Sequence, residues 1–220
     1  LAKMGYTRSE VIGRNSAEFL TPDSHAYARN VVLPKYLHEG RCDLLGYQMV
    51  RKDGTLIDVL RRAEIEVVVA SIETRRMITC ARGVRLTADA MLNDVLAQEF
   101  DLIALPGGMP GAQRLAEHLP LAQRVQQQAR AGQFFAAICA APALALQGYG
   151  VLRQRRMTCY PAFSDRLSGC TFVDQPVVVD GNCITAQGPA SALDFALQLV
   201  EQLAGPAVRR NVAEAMLYRG

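Results

Sequence analysis

Twice in this chain a short apolar run stops at a tight turn of small residues, and that arrangement leaves few architectures open. "EFDLIALPGG" (residues 99–108) ends on Pro106, Gly107 and Gly108, and "QFFAAICAAP" (residues 133–142) runs through Cys139 into Ala140, Ala141 and Pro142. Between them "PLAQRVQQQARAG" (residues 120–132) has helical spacing: Leu121, Val125 and Ala129 share a face, Pro120 suits the first turn and Gly132 the stop. Upstream, "EVVVAS" (residues 66–71) is a β-branched run of the buried-strand kind. Downstream, "PVVVDGNCITAQGPAS" (residues 176–191) predicts a hairpin around Asp180 and Gly181 followed by a loop, and "ASALDFALQLVEQLAG" (residues 190–205) predicts a helix that stops at Gly205. Strands that alternate with helices imply a largely parallel sheet with helices on both faces, so the fold class is α/β. In such sheets ligands bind at the carboxyl ends of the strands, where the turn at Gly107 and Gly108 and the thiol of Cys139 both fall.

Composition narrows the function classes. The 220 residues carry 24 basic and 21 acidic side chains, and a net charge of +3 gives no argument for nucleic acid or an anionic membrane surface. No apolar run approaches the roughly 18–20 residues of a membrane span, and residues 1–20 lack a signal-peptide pattern. The expectation is a cytoplasmic protein with no membrane partner and reduced thiols. Of the six cysteines, Cys42, Cys80, Cys139, Cys159, Cys170 and Cys183, no two form a CxxC pair, and His25, His38 and His118 stand at no metal-ligand spacing. Neither a metal nor a cofactor is expected.

Cys139 carries the chemistry if any residue does. A side chain on a strand-to-helix turn points into the crevice, with the following N–H groups and the helix dipole facing it. There a thiol ionises more readily, and the thiolate is the reactive species. The backbone N–H groups of Gly108 and Ala140 are placed to stabilise an oxyanion formed when the thiolate adds to a carbonyl. From position alone the alternative stays open that Cys139 is a buried thiol behaving as a small hydrophobe.

"FDLIALPGGMPGAQRL", "AAICAAP", "MTCYP" and "ITAQGPASALDFALQLVEQL" together resemble the ThiJ/PfpI superfamily, in its deglycase and YajL-like branch, over about residues 57–217. The resemblance implies a flavodoxin-like three-layer sandwich with a mostly parallel sheet, usually a homodimer. It implies that Cys139 is the nucleophile on a strained elbow, with Gly108 and Ala140 as oxyanion donors. Gly107, Tyr160, Pro161, Thr185, Gly188 and Pro189 fall at the family's pocket positions, Tyr160 standing where the deglycase branch carries a histidine, and Cys80 and Cys159 are candidate secondary thiols, for which a buried or interface thiol without chemistry is the alternative. The peptidase branch has a histidine after the cysteine, where this chain has Ala140, and no histidine follows His118, so peptidase and amidotransferase chemistry are disfavoured. What the resemblance leaves is thiol chemistry on small carbonyl compounds or on glycated protein or nucleotide, of the glyoxalase or deglycase type. A non-enzymatic oxidative-stress sensor or chaperone with an oxidisable Cys139 is the alternative.

The N-terminal quarter departs from that pattern. The family's active-site glutamate position falls on Lys52, and Glu64 stands where the family often has glycine. "GYTRSEVIGRNSAEFLTPDS" and "YQMVRKDGTLIDVL" resemble part of a PAS sensory domain, an α+β unit, truncated to about residues 4–60. The expected organisation is a PAS-like segment over residues 1–56, fused to a ThiJ/PfpI-like domain over residues 57–220, with an inactive fused site as a further alternative. "DLLGYQMV" (residues 43–50) is the candidate to supply the first strand of the α/β sheet, and "LIDVL" suits a PAS strand and a family helix equally.

Overall fold

The computed structural model describes residues 55–80 and 85–219. The chain enters through α1 (Thr55–Arg62) and continues through β1 (Ala70–Ser71), the hairpin β2 (Met77–Thr79) and β3 (Arg85–Thr87), β4 (Ala90–Met91) and α2 (Leu92–Val95). Next come β5 (Leu102–Leu105), α3 (Gly111–Glu117), α4 (Leu119–Arg130) and β6 (Phe134–Ile138), then a π-helical turn (Pro142–Leu146). The second half holds β7 (Arg156–Met157), a 3-10 turn (Pro161–Arg166), β8 (Thr171–Phe172), β9 (Val177–Asp180), β10 (Cys183–Ala186), a short 3-10 turn (Pro189–Ser191), α5 (Ala192–Ala204) and α6 (Pro206–Ala215).

The main sheet has the order β5-β6-β10-β9, parallel except for the β9–β10 hairpin, whose register pairs Cys183 with Asp180. Successive side chains of a strand serve opposite faces, and here they feed two separate cores. Ile103, Leu105, Phe135, Ala137 and Cys183 join α2, α3, α4 and the π-helical turn on one face. Leu102, Ala104, Ala136, Ile184 and Ala186 join α1, α5 and α6 on the other. The expected sheet with helices on both faces is therefore present, and the hairpin and the helix ending at Gly205 lie where the sequence puts them.

Polar side chains hold the strands' amino ends. The Gln128 amide, fully buried, donates to the carbonyls of Phe100 and Phe134, one ahead of β5 and one in β6. His118 lies on the chain's surface only in part: its Nδ1 accepts from the Leu121 N–H at 3.3 Å and caps α4.

Three expectations are revised or resolved. "LIDVL" is helix, with Val59 and Leu60 buried against α5. The strand expected over residues 66–71 shortens to Ala70–Ser71, because a strand exists only where a neighbour takes its hydrogen bonds and β4 offers two residues. Glu64 stands in the left-handed region at φ 59, just past α1. A glycine there carries no Cβ penalty, so Glu64→Gly is expected to raise stability by about 0.5–1 kcal/mol, read as a higher denaturant midpoint. No change, or a loss, counts against strain at this helix end. The PAS-like segment up to residue 54, with Cys42, Lys52 and the strand candidate at 43–50, lies outside the described residues.

Candidate active site

Cys139 is the first residue past β6, and its φ is 65. A non-glycine residue in this region is costly, so surrounding bonds must hold it. Its N–H donates to the Ala186 carbonyl at 2.9 Å, at the end of β10. Its carbonyl accepts from the Tyr160 N–H at 2.8 Å. The left-handed turn lifts the side chain off the strand, leaving it half-buried, and the chain bends at once into Ala140, Ala141 and the π-helical turn. Ala140 and Ala141 are fully packed, which only small side chains at this bend permit.

Gly107 lies directly against this elbow. A Cβ there would sit 2.4 Å from the Cys139 Cβ, 2.7 Å from the Ile138 carbonyl oxygen and 3.3 Å from the Cys139 Sγ. The Gly108 carbonyl starts α3 by accepting from the Ala112 N–H, and its φ of 91 lies in the left-handed region that glycine adopts without a Cβ penalty. Among the described residues, the N–H groups of Gly108 and Ala140 donate to no protein acceptor. Nothing among those residues competes with a ligand oxygen for them.

The remaining pocket residues divide. Tyr160 is exposed, and its ring lies 3.4 Å from where a Gly188 Cβ would stand, so it leans across the Gly188 backbone. Pro161 and Pro189 are exposed at the starts of their 3-10 turns. Thr185 is fully buried, and its hydroxyl accepts from the Thr158 N–H at 2.9 Å, so it ties β10 to the "MTCYP" stretch. Sequence reasoning missed Ala186 and Thr158. Both act largely through backbone groups, which leave no residue-type signal.

The thiols also divide. Cys80 is exposed. Cys159 is buried, and burial pushes its pKa up to about 11, with smaller contributions from Cys170 and Cys139. Burial pushes Cys183 up to about 12, offset in part by the Arg155 charge. Cys170 is raised by burial, and its Sγ donates to the Gln147 side-chain oxygen at 3.6 Å. In the native protein at pH 8, iodoacetamide is thus expected to modify Cys80 and to spare Cys159 and Cys183 until denaturant is added, as read by peptide mapping. Both buried thiols stay protonated in the fold, whereas an unfolded cysteine ionises near about 8.5. Their contribution to stability is intact below that pH and is lost as pH rises through about 11 and about 12. A melting temperature that fails to fall between pH 8 and 11 contradicts this.

No group of three or more His, Cys, Asp or Glu side chains among the described residues is arranged to hold a metal ion. No helix among them is long and apolar enough to cross a membrane.

A protein-family model described as the DJ-1/PfpI family matches residues 53–202. Protein DJ-1 homolog B of Arabidopsis thaliana is 41% identical over 165 residues, which cover 74% of this chain and 38% of that protein. The chain spans about two fifths of the length of the two Arabidopsis relatives it matches. Glutathione-independent glyoxalase DJR-1.2 of Caenorhabditis elegans is 37% identical over 151 residues, covering 68% of this chain and 79% of the relative. Among solved structures, oxidized Toxoplasma gondii DJ-1 superposes with a TM-score of 0.73 at 38% identity, covering 76% of this chain and 90% of that one.

Proposed function

The chain belongs to the DJ-1/PfpI family, with its flavodoxin-like α/β fold, and from that premise we propose that it acts on small reactive carbonyls through Cys139, as a glyoxalase or deglycase. The observation that carries this reading is the elbow: a half-buried thiol at φ 65, clamped on both backbone sides, beside two N–H groups without acceptors among the described residues. The relative named a glutathione-independent glyoxalase adds support.

In this reading the Cys139 thiolate adds to the aldehyde carbon of a 2-oxoaldehyde. A carbon–sulfur bond forms and the carbonyl electron pair becomes an oxyanion, which the Gly108 and Ala140 N–H groups receive. The hemithioacetal then loses the proton on the former aldehyde carbon, and the neighbouring ketone carbon gains one, giving a thioester of a 2-hydroxy acid. Water cleaves that thioester, returning the thiol and releasing the hydroxy acid. No oxidant or reductant enters. The proton transfers need a base, and by resemblance the family's acid position falls on Lys52, outside the described residues.

The partners in this reading are small carbonyls, glycated protein or nucleotide, and a second copy of the chain, in the cytoplasm. The test incubates the full chain with methylglyoxal, without glutathione, and measures lactate. Lactate formed in proportion to enzyme supports the reading, and none formed overturns it. The second reading, an oxidative-stress sensor or chaperone without turnover, draws on the relative whose structure is described as oxidized. It predicts a peroxide-dependent mass gain at Cys139 with no lactate.

A further inference from the structure

Cys139 has a second thiol beside it. Its carbonyl accepts from the Tyr160 N–H at 2.8 Å, and that N–H belongs to the peptide group joining Cys159 to Tyr160. One such bond fixes the Cα atoms of Cys139 and Cys159 about 5–6 Å apart, inside the range that a disulfide spans. The two side chains also share a side of the sheet. Its faces feed separate cores, and Cys159 is buried in the one against which Cys139 packs. No other thiol among the described residues has this placement. Cys183 pairs with Phe135, roughly 13 Å along β6 from Cys139. Cys170 lies beside Arg155, ahead of β7, whereas Cys159 follows that strand: the Thr171 N–H donates to the Arg155 carbonyl, and the Cys170 Sγ is bonded to Gln147. Cys80 is exposed and outside that core.

The two thiols differ in what can reach them. Cys139 is half-buried, at the crevice. Cys159 has no exposed surface, and burial, then the charges of Cys170 and Cys139, hold its proton in place. A hydroperoxide therefore meets Cys139 and not Cys159. We propose that Cys159 is the resolving partner of Cys139, closing an intramolecular disulfide once a hydroperoxide has oxidised the elbow thiol. The Cys139 thiolate attacks one peroxide oxygen: a sulfur–oxygen bond forms, the oxygen–oxygen bond breaks, and the leaving oxygen takes up a proton. The Cys159 sulfur then attacks the sulfur of the Cys139 sulfenic acid. The disulfide forms, the sulfur–oxygen bond breaks, and the hydroxide leaves as water with the Cys159 proton. The peroxide gains the two electrons that the thiols lose. Oxidation thus stops short of the irreversible sulfinic acid, and a dithiol reverses it by exchange. The inference rests on the ionised Cys139 of the proposed function and needs no carbonyl turnover.

The test gives the full chain one equivalent of hydrogen peroxide under native conditions, blocks the remaining thiols with a maleimide in denaturant, and maps peptides without reduction. The expected product is a linked peptide pair holding Cys139 and Cys159, two hydrogens lighter than the free thiols, in a protein that runs as a single chain on a non-reducing gel. Dithiothreitol is expected to restore both thiols. Cys159→Ala is expected to lose the linked pair and to accumulate sulfinic acid at Cys139 that dithiothreitol does not reverse, whereas Cys170→Ala keeps the link. Oxygen gained at Cys139 in the unmodified chain without the linked pair overturns the proposal and leaves a reactive Cys139 standing. A Cys139 that stays unmodified overturns the proposal and the nucleophile reading together. A link between two chains, or one that forms only in denaturant, overturns the resolving role, and none of these three arms depends on a variant that folds.

Discussion

Replacing Cys139 with serine is expected to lower kcat/KM for methylglyoxal by at least about a thousandfold, equivalent to roughly 4 kcal/mol of transition-state stabilisation. The two side chains are nearly the same size, and the elbow is fixed by the Ala186 carbonyl, the Tyr160 N–H and the Gly107 approach, none of which involves sulfur bonding. The fold should therefore persist, with a melting temperature within a few degrees of the parent. The loss falls on chemistry. A serine hydroxyl is a weak nucleophile unless a base takes its proton, whereas a thiol supplies some thiolate unaided at neutral pH. Cys139→Ala should match the serine variant. Lactate formation above about a tenth of the parent rate in either variant would remove Cys139 from the nucleophile's role and leave catalysis, if present, to another residue.

Gly107→Ala is the second large effect. The added methyl would stand 2.4 Å from the Cys139 Cβ and 2.7 Å from a backbone oxygen, closer than real Cβ atoms approach. Neither neighbour is a flexible side-chain end, so the turn or the elbow has to move. Overpacking of this kind costs typically about 1–3 kcal/mol, and the displaced group is the candidate nucleophile itself. The expected result is a lower denaturant midpoint together with a changed rate of Cys139 alkylation in the folded protein. Gly188→Ala is the matched control. Its nearest neighbour is a Tyr160 ring atom at 3.4 Å, on an exposed side chain able to shift, so little stability should be lost. Equal losses from both changes would mean that the Gly107 approach is not what positions Cys139.

Local signals made much of this legible before any coordinates. Pro120 and Gly132 bracket α4, and Asp180 with Gly181 marks the β9–β10 hairpin, because those residue types restrict φ or permit it locally. The elbow at Cys139 was legible for the same reason: an apolar strand followed by a string of alanines admits a tight bend. The left-handed Glu64 was legible only through the resemblance, which puts glycine there. Non-local pairing was less accessible. The β-branched run at residues 66–71 reads as a full strand, yet only its last two residues pair, since strand length is set by a neighbour distant in sequence. The bond from the Thr158 N–H to the Thr185 hydroxyl is likewise a contact that no spacing rule anticipates.

The elbow is joined from stretches far apart along the chain: Gly107 beneath, Cys139 itself, Tyr160 and Ala186. Such contacts require chain segments distant in sequence to meet, and the loop-closure entropy of that meeting has to be met first. A newly made polypeptide therefore presents Cys139 as an ordinary cysteine, and the special environment arises only on completion of the fold. Reactivity at Cys139 therefore tracks assembly: partly folded copies lack the organised elbow, and labelling of Cys139 during refolding would report its completion.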